Sequence, residues 1–351
     1  MLKLDVPFVP DEEYVDFLAR NVERLTSVHF SLYDPALCDA RQRMETHKPQ
    51  SIIAGLNKLG STQRFVLLNS RLHDPQRYFD AKHLTQAADR LTMLADEAGI
   101  QGLIFGDPYY LQALGDHAPQ LAARLEAIPT VNAQLDSPGR VYAMLEMIRD
   151  TPFCPPSKLV LDRNLNRDFE RLEPTVDALR RSLPDIKIHL IANEGCLHHC
   201  PYKPTHNAHI AMVNQKLCDD RTFDINREYG CIRRFLQHPE SFLVSPFIRP
   251  EDMDHYAPYV DGIKLCGRNK GTKFLMTAFS AYANGQYDGN LLDIMDAMGD
   301  LSGHVHIHNE RIPADFVHRV GRCQSNCSQC QYCNDIAESA VELLGVQIPE
   351  M

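Results

Sequence analysis

Residues 82–108 read KHLTQAADRLTMLADEAGIQGLIFGDP. The first part repeats at helical spacing: Leu84, Ala87, Ala88, Leu91, Leu94 and Ala95 fall on one face. The last part, GLIFGDP (102–108), is a short and nearly continuous apolar run. A one-sided helix feeding a strand that is apolar on both sides is the repeating unit of a parallel sheet covered by helices.

The same unit recurs in both directions. Upstream, a helix over DEEYVDFLARNVERL leads to the strands SVHFSLYD (27–34) and RFVLLNS (64–70). Downstream, strands are expected at PTVNAQLDS (129–137), KLVLDRNL (158–165), IKIHLIANE (186–194), FLVSPFI (242–248) and GIKLCGR (262–268). Eight strand-like runs over roughly 260 residues predict an α/β fold, a (β/α)8 TIM-type barrel. A doubly wound open sheet is the runner-up, but no Gly-rich dinucleotide fingerprint follows the first run. The barrel domain is placed at 1–285. A Cys-rich C-terminal extension, 286–351, is expected to pack on it.

The chain has 351 residues, 44% hydrophobic and 23% charged, with a net charge of −10. That balance disfavours direct nucleic-acid binding. Apolar runs are far shorter than the roughly 20 residues of a membrane span, and the start of the chain has no apolar signal core, so a cytoplasmic protein is expected. Eleven cysteines in that setting point to metal ligands or catalytic thiols rather than to a disulfide scaffold.

Polar residues gather at or just past the predicted strand ends, which is the active face of a parallel barrel. Asn69, Asp107, Gln134, Arg163, Asn193, Arg249, Lys264 and Arg268 are candidate substrate-binding residues there. The arginines suit an anionic or carboxylate ligand. Turn formation alone also places polar residues at strand ends.

Two cysteine groups stand out. CQSNCSQCQYC holds Cys323, Cys327, Cys330 and Cys333 within one loop, and four such thiolates suit a metal. Tetrahedral zinc and a 4Fe-4S cubane both accept this set. The spacing is closer to ferredoxin-like runs, which favours iron–sulfur. Cys196 and Cys200 follow the sixth predicted strand in NEGCLHHCPYKPTHNAH (193–209), with Cys231 and Cys266 as further ligand candidates and Cys38 and Cys218 behind them. His198, His199, His206 and His209 could join a zinc site. Cys154 and Cys38 read as structural cysteines.

NEGCLHHCP, FLVSPFIRPEDMDHY and GIKLCGRNKGTKFLMTAFSAYANG, taken in order, resemble the collagenase-like peptidase family U32 over roughly residues 27–285. VLDRNL is similar to the turn that ends the family's fifth strand, and Lys264, Gly267 and Arg268 match its Lys-x-x-Gly-Arg turn. The C-terminal cysteine run lies outside the resemblance. The better understood members hold a 4Fe-4S cluster on cysteines and support oxygen-independent hydroxylation. The resemblance therefore implies an iron–sulfur enzyme with one or two 4Fe-4S clusters, or zinc at either cysteine group. Its substrate would be a small molecule or a modified base, and a partner protein of the same family is expected. Cys196, Cys200 and Cys231 then read as barrel-mouth ligands. Glu194, His206 and His209 are acid/base candidates. A peptidase with a Cys/His metal site and a non-catalytic, cluster-carrying subunit are the alternatives.

Overall fold

The computed structural model describes residues 2–34, 37, 47–323, 326–327 and 329–345. Cys38 lies outside them. The eight strands of one parallel sheet are β1 Lys3–Pro7, β2 Leu25–Ser31, β3 Gln63–Leu68, β4 Gly102–Phe105, β5 Glu126–Pro129, β6 Lys158–Val160, β7 Lys187–Ile191 and β8 Gly262–Lys264. Their order is β5-β4-β3-β2-β1-β8-β7-β6. The ring nearly closes between β5 and β6. There Ala127 N donates to Cys154 O at 3.0 Å, Cys154 N donates to Leu125 O at 2.9 Å, and the Glu126 carboxylate accepts from Ser157 N and Oγ. With helices packed around the outside, this is the (β/α)8 barrel expected from the sequence.

The opening stretch shows why the alternation arises. Asp80 accepts hydrogen bonds from Lys82 N and His83 N and so caps the helix Ala81–Ala98. Gly99, at φ +57°, ends it in the left-handed conformation that glycine adopts without strain. Leu84, Ala87, Ala88, Leu91 and Leu94 are buried against the sheet. Leu91 and Leu94 are wholly enclosed, each worth about 2 kcal/mol.

The strands differ from the sequence reading in three places. β1 was not anticipated, because Lys3 and Asp5 interrupt its apolar pattern. The run 242–248 is no strand: it forms the short helix Glu240–Val244 and an extended segment. It is apolar because Phe242, Leu243, Phe247 and Ile248 are buried. The strand expected at 129–137 is β5, which sits just upstream, and Val131–Ala133 is a 3-10 turn.

Between β7 and β8 the chain makes a long excursion with helices Lys203–Asn214, Thr222–Tyr229 and Cys231–Gln237. Residues beyond 285 add the antiparallel pair β9 Val305–Ile307 and β10 Val341–Leu343, and helices Phe316–Val320 and Tyr332–Ala340. This segment is tied to the barrel by backbone bonds from Asp296 N to Asn193 O (2.8 Å) and from Phe169 N to Gly321 O (2.7 Å).

Candidate functional site

The turn after β7 builds the centre. Asn193 is fully buried and spends its amide on structure. Its Oδ1 accepts from Cys266 N at 2.7 Å, and its Nδ2 donates to Cys266 O and Ile294 O. It therefore clamps the ends of β7 and β8. At Gly195 a Cβ would stand 2.2 Å from Met298 Cε, so the bare glycine lets the flexible ends of Met295 and Met298 pack on the turn. Glu194 is buried between Arg163, which also donates to Asn132 Oδ1 at 2.9 Å, and Lys203 Nζ at 2.8 Å.

Both cations also reach Cys196 Sγ, Arg163 Nη1 at 3.8 Å and Lys203 Nζ at 3.7 Å. Burial pushes the Cys196 thiol above its ordinary value, while Lys203 and Arg163 pull it the other way. Cys196, Cys200, Cys231 and His206 line one cavity of about 220 Å³, otherwise largely apolar through Leu197, Phe235 and Met298. Cys231 opens its helix with Sγ 3.4 Å from Asn226 Oδ1, and burial, then the nearby Cys196 and Cys200, push its thiol up to about 12.

Cys266 lines a different space. It borders a cavity of about 70 Å³ in the barrel lumen, together with Asn69, Glu194, Lys264 and Arg268. Asn269 and Asp296 line both cavities, so the two adjoin. His209 and Cys218 line neither and sit together, with His209 Nδ1 4.0 Å from Cys218 Sγ.

Three expected ligand-binding residues are held elsewhere. Asp107 caps the helix Pro108–His117 and accepts from His73 and Tyr78. Gln134 sits in a left-handed turn and its carbonyl accepts from Arg140. Arg249 is buried against Asp252, with Nε and Nη2 both 2.8 Å from its carboxylate, and donates to the carbonyls of Ile312 and Pro313. It braces the C-terminal segment rather than facing the mouth. Cys154, read as structural, is half-buried and its Sγ donates to Ala123 O at 3.2 Å.

The C-terminal cysteines share a third cavity, about 310 Å³, lined by Cys323, Cys327, Cys330 and Cys333 with Arg167 and His198. Burial, opposed by Arg167 and reinforced by the other three cysteines, pushes the Cys333 thiol up to about 11. Arg167 is buried, stacks on Phe247 and Phe316, and donates from Nε to Ser245 O at 2.9 Å. Ser245 Oγ in turn donates to Cys196 O at 2.7 Å. The loop 196–200 therefore stands between two cysteine-lined cavities, giving Cys196 and Cys200 to one and His198 to the other. Among the described residues, no three His, Cys, Asp or Glu side chains are grouped so as to hold a single metal ion.

Some contributors escaped the sequence reading. Lys203 opens a helix in a loop whose histidines drew attention. Asp5, His29 and Lys158 lie inside strands, where a charge pairing across the barrel leaves no local pattern.

No family model matches the chain. A curated relative, "Uncharacterized protease MJ1657" of Methanocaldococcus jannaschii, is 28% identical over 188 residues, 53% of this chain and 53% of that protein. The match thus spans about half the length of that relative. Among solved structures, "The Structure of the U32 Peptidase Mk0906" superposes with a TM-score of 0.51 at 13% identity, over 76% of this chain and 92% of that one. The shared barrel is a likeness of fold. No helix among the described residues is long and apolar enough to cross a membrane.

Proposed function

We propose that this chain, a U32-peptidase-like protein, is an iron–sulfur enzyme whose barrel-mouth cysteines hold a cluster beside a substrate cavity. The observation that carries the reading is the convergence of Cys196, Cys200 and Cys231 on one cavity, although Cys231 lies far along the chain from the other two. The donor set fits the group. A cubane spreads its thiolates over several irons, so its ligands stand further apart than those of a single ion. Arg163 and Lys203 against Cys196 would offset the negative charge of bound thiolates. The four C-terminal cysteines are the ligands of a second cluster in this reading. Bound, such a group supplies one-electron chemistry to an oxygen-independent hydroxylation or a related transfer on a small molecule or modified base.

The chain's own part is to orient and to exclude water. The apolar wall of the mouth cavity shields the reacting group. His206 lines that cavity and is placed to move a proton, whereas His209, turned toward Cys218, is left as an outer contact. Glu194 holds Arg163 and Lys203 in position. A partner protein of the same family would complete the surface above the mouth.

The name of the curated relative keeps hydrolysis as a second reading, and His206 among the cysteines is the feature that would serve a zinc-bound water. Anaerobic purification followed by an absorption spectrum and iron, sulfide and zinc analysis separates the two. A brown protein with iron and sulfide supports the proposal. A colourless protein with stoichiometric zinc overturns it in favour of hydrolysis.

A further inference from the structure

The barrel lumen has an apolar and a polar part. Phe65, Leu67, Ile104 and Ile128 form an apolar cluster of their own. Asp5, His29, Lys158, His189 and Lys264 are also buried, with Lys158 Nζ 4.3 Å from the centroid of the Phe65 ring. The polar part is organised around Asp5. Lys158 Nζ donates to its carboxylate at 2.8 Å and to Ser27 Oγ at 2.5 Å. Lys264 Nζ stands 3.4 Å from the same carboxylate and 2.9 Å from His29 Nδ1. Two ammonium groups thus face one carboxylate. His29 and His189 do not change the balance, since burial, before any neighbour, pushes both down to about 3 and leaves them neutral.

The floor of the lumen therefore carries one positive charge more than Asp5 offsets, and a buried excess of that kind is costly. Lys158 spends two N–H groups on Asp5 and Ser27 and stands over the Phe65 ring, while Lys264 has N–H groups beyond the one that faces Asp5. Both lysines line the lumen cavity. Its volume of about 70 Å³ compares with about 30 Å³ per water, so it has room for about two waters or one small charged head group. At the rim Arg268 and Asp296 add one charge of each sign. Glu194 also borders this cavity, but its charge is engaged by Arg163 and Lys203, both of which reach Cys196.

We infer that the lumen cavity is a subsite for one carboxylate group, gripped by Lys158 and Lys264, with the rest of the molecule reaching past Asn269 and Asp296 into the cysteine-lined cavity. A single negative charge matches the single positive excess. A phosphate dianion would leave a negative charge uncompensated in the same place. The inference deepens the function proposed above by making the substrate an organic carboxylate, and in that respect rests on it. The cation pair itself does not depend on what the cysteines hold.

The test uses the full chain as purified. Sodium acetate, sodium phosphate and sodium chloride are titrated at constant ionic strength, followed by calorimetry and by thermal unfolding, because a ligand of the folded state raises the melting temperature. Acetate should bind saturably, and phosphate and chloride should not. Lys264→Gln should weaken acetate binding at least tenfold. Asp5→Asn, which removes the competing carboxylate, should tighten it. A purely structural role would lower the melting temperature of both variants and leave the acetate constant unchanged, which overturns the inference. If neither variant folds, the wild-type comparison decides, and phosphate binding as tight as acetate overturns it. Iron is measured in the same samples. Acetate binding to an iron-free protein keeps the subsite and removes the iron–sulfur reading. Iron-loaded protein that ignores acetate removes the subsite alone.

Discussion

The two cysteine-lined cavities at the barrel end are built by opposite means. The C-terminal one takes four cysteines from eleven consecutive residues, and Cys323, Cys327 and Cys330 are exposed. The mouth cavity takes Cys196 and Cys200 from one turn and Cys231 from a helix well downstream, all partly buried. Around the C-terminal set the described arginines are two, Arg167 and Arg319, each stacked on an aromatic ring. Around the mouth set, Arg163 and Lys203 converge on Cys196 itself. A local run needs little from the fold to bring its thiols together, whereas an assembled site depends on buried charge pairs. The mouth site should therefore respond to substitutions in the barrel and the C-terminal site should not.

The largest expected effect separates the two by stability. Arg249→Ala leaves Asp252 buried without its partner and frees the carbonyls of Ile312 and Pro313. Removing one member of such a pair costs about 3–5 kcal/mol. Urea unfolding should show that loss, while Arg268→Ala, half-buried and bonded to Ser31 Oγ, should cost about 1 kcal/mol. Equal losses would mean that Arg268 too is a structural residue.

Next comes the pH dependence of the barrel. Burial holds His29 and His189 near 3, against about 6.5 in an unfolded chain. Between those values the unfolded chain binds more protons, so this contribution is complete above about pH 6.5 and is lost as pH falls toward 3. Each histidine contributes a slope of at most about 1.4 kcal/mol per pH unit. Urea titrations at several pH values should show it, and His189→Asn should flatten the slope by about one proton. An unchanged slope would contradict the neutral, buried state assigned to His189.

The smallest effect is kinetic and compares the cavities directly. In metal-free, reduced protein, iodoacetamide should label the exposed C-terminal cysteines first. Cys196 and Cys231, whose thiols are raised by burial, should react last. Peptide mapping over time reads the order, and early labelling of Cys196 would show that the mouth cavity opens freely.

Much of the barrel was legible because its outer strands and helices follow simple periodicities, as in residues 82–108. What escaped has a common cause. β1 was hidden because Asp5 sits in its middle, and that charge is held by Lys158, Lys264 and His29 from other strands. The run 242–248 misled because burial makes a short helix and an extended segment as apolar as a strand. Among site residues, Asp107 and Arg163 look alike in sequence, each a polar residue at a strand end. One caps a helix and the other enters the mouth, and only the packing of the next element distinguishes them. Lys158 gave no signal at all, since a charged residue opening a strand reads as an exposed end.

The central claim is that Cys196 and Cys200, with the distant Cys231, form one iron–sulfur site separate from the C-terminal one. It is tested most directly by iron and sulfide content after anaerobic purification of wild-type chain and of Cys196→Ser, Cys200→Ser, Cys231→Ser and Cys330→Ser. The account predicts about eight irons in the wild type, two cubanes' worth, and about half that number in each single variant, with Cys330→Ser losing the other half. Full iron content in Cys231→Ser, or loss of all iron from any one substitution, would contradict it.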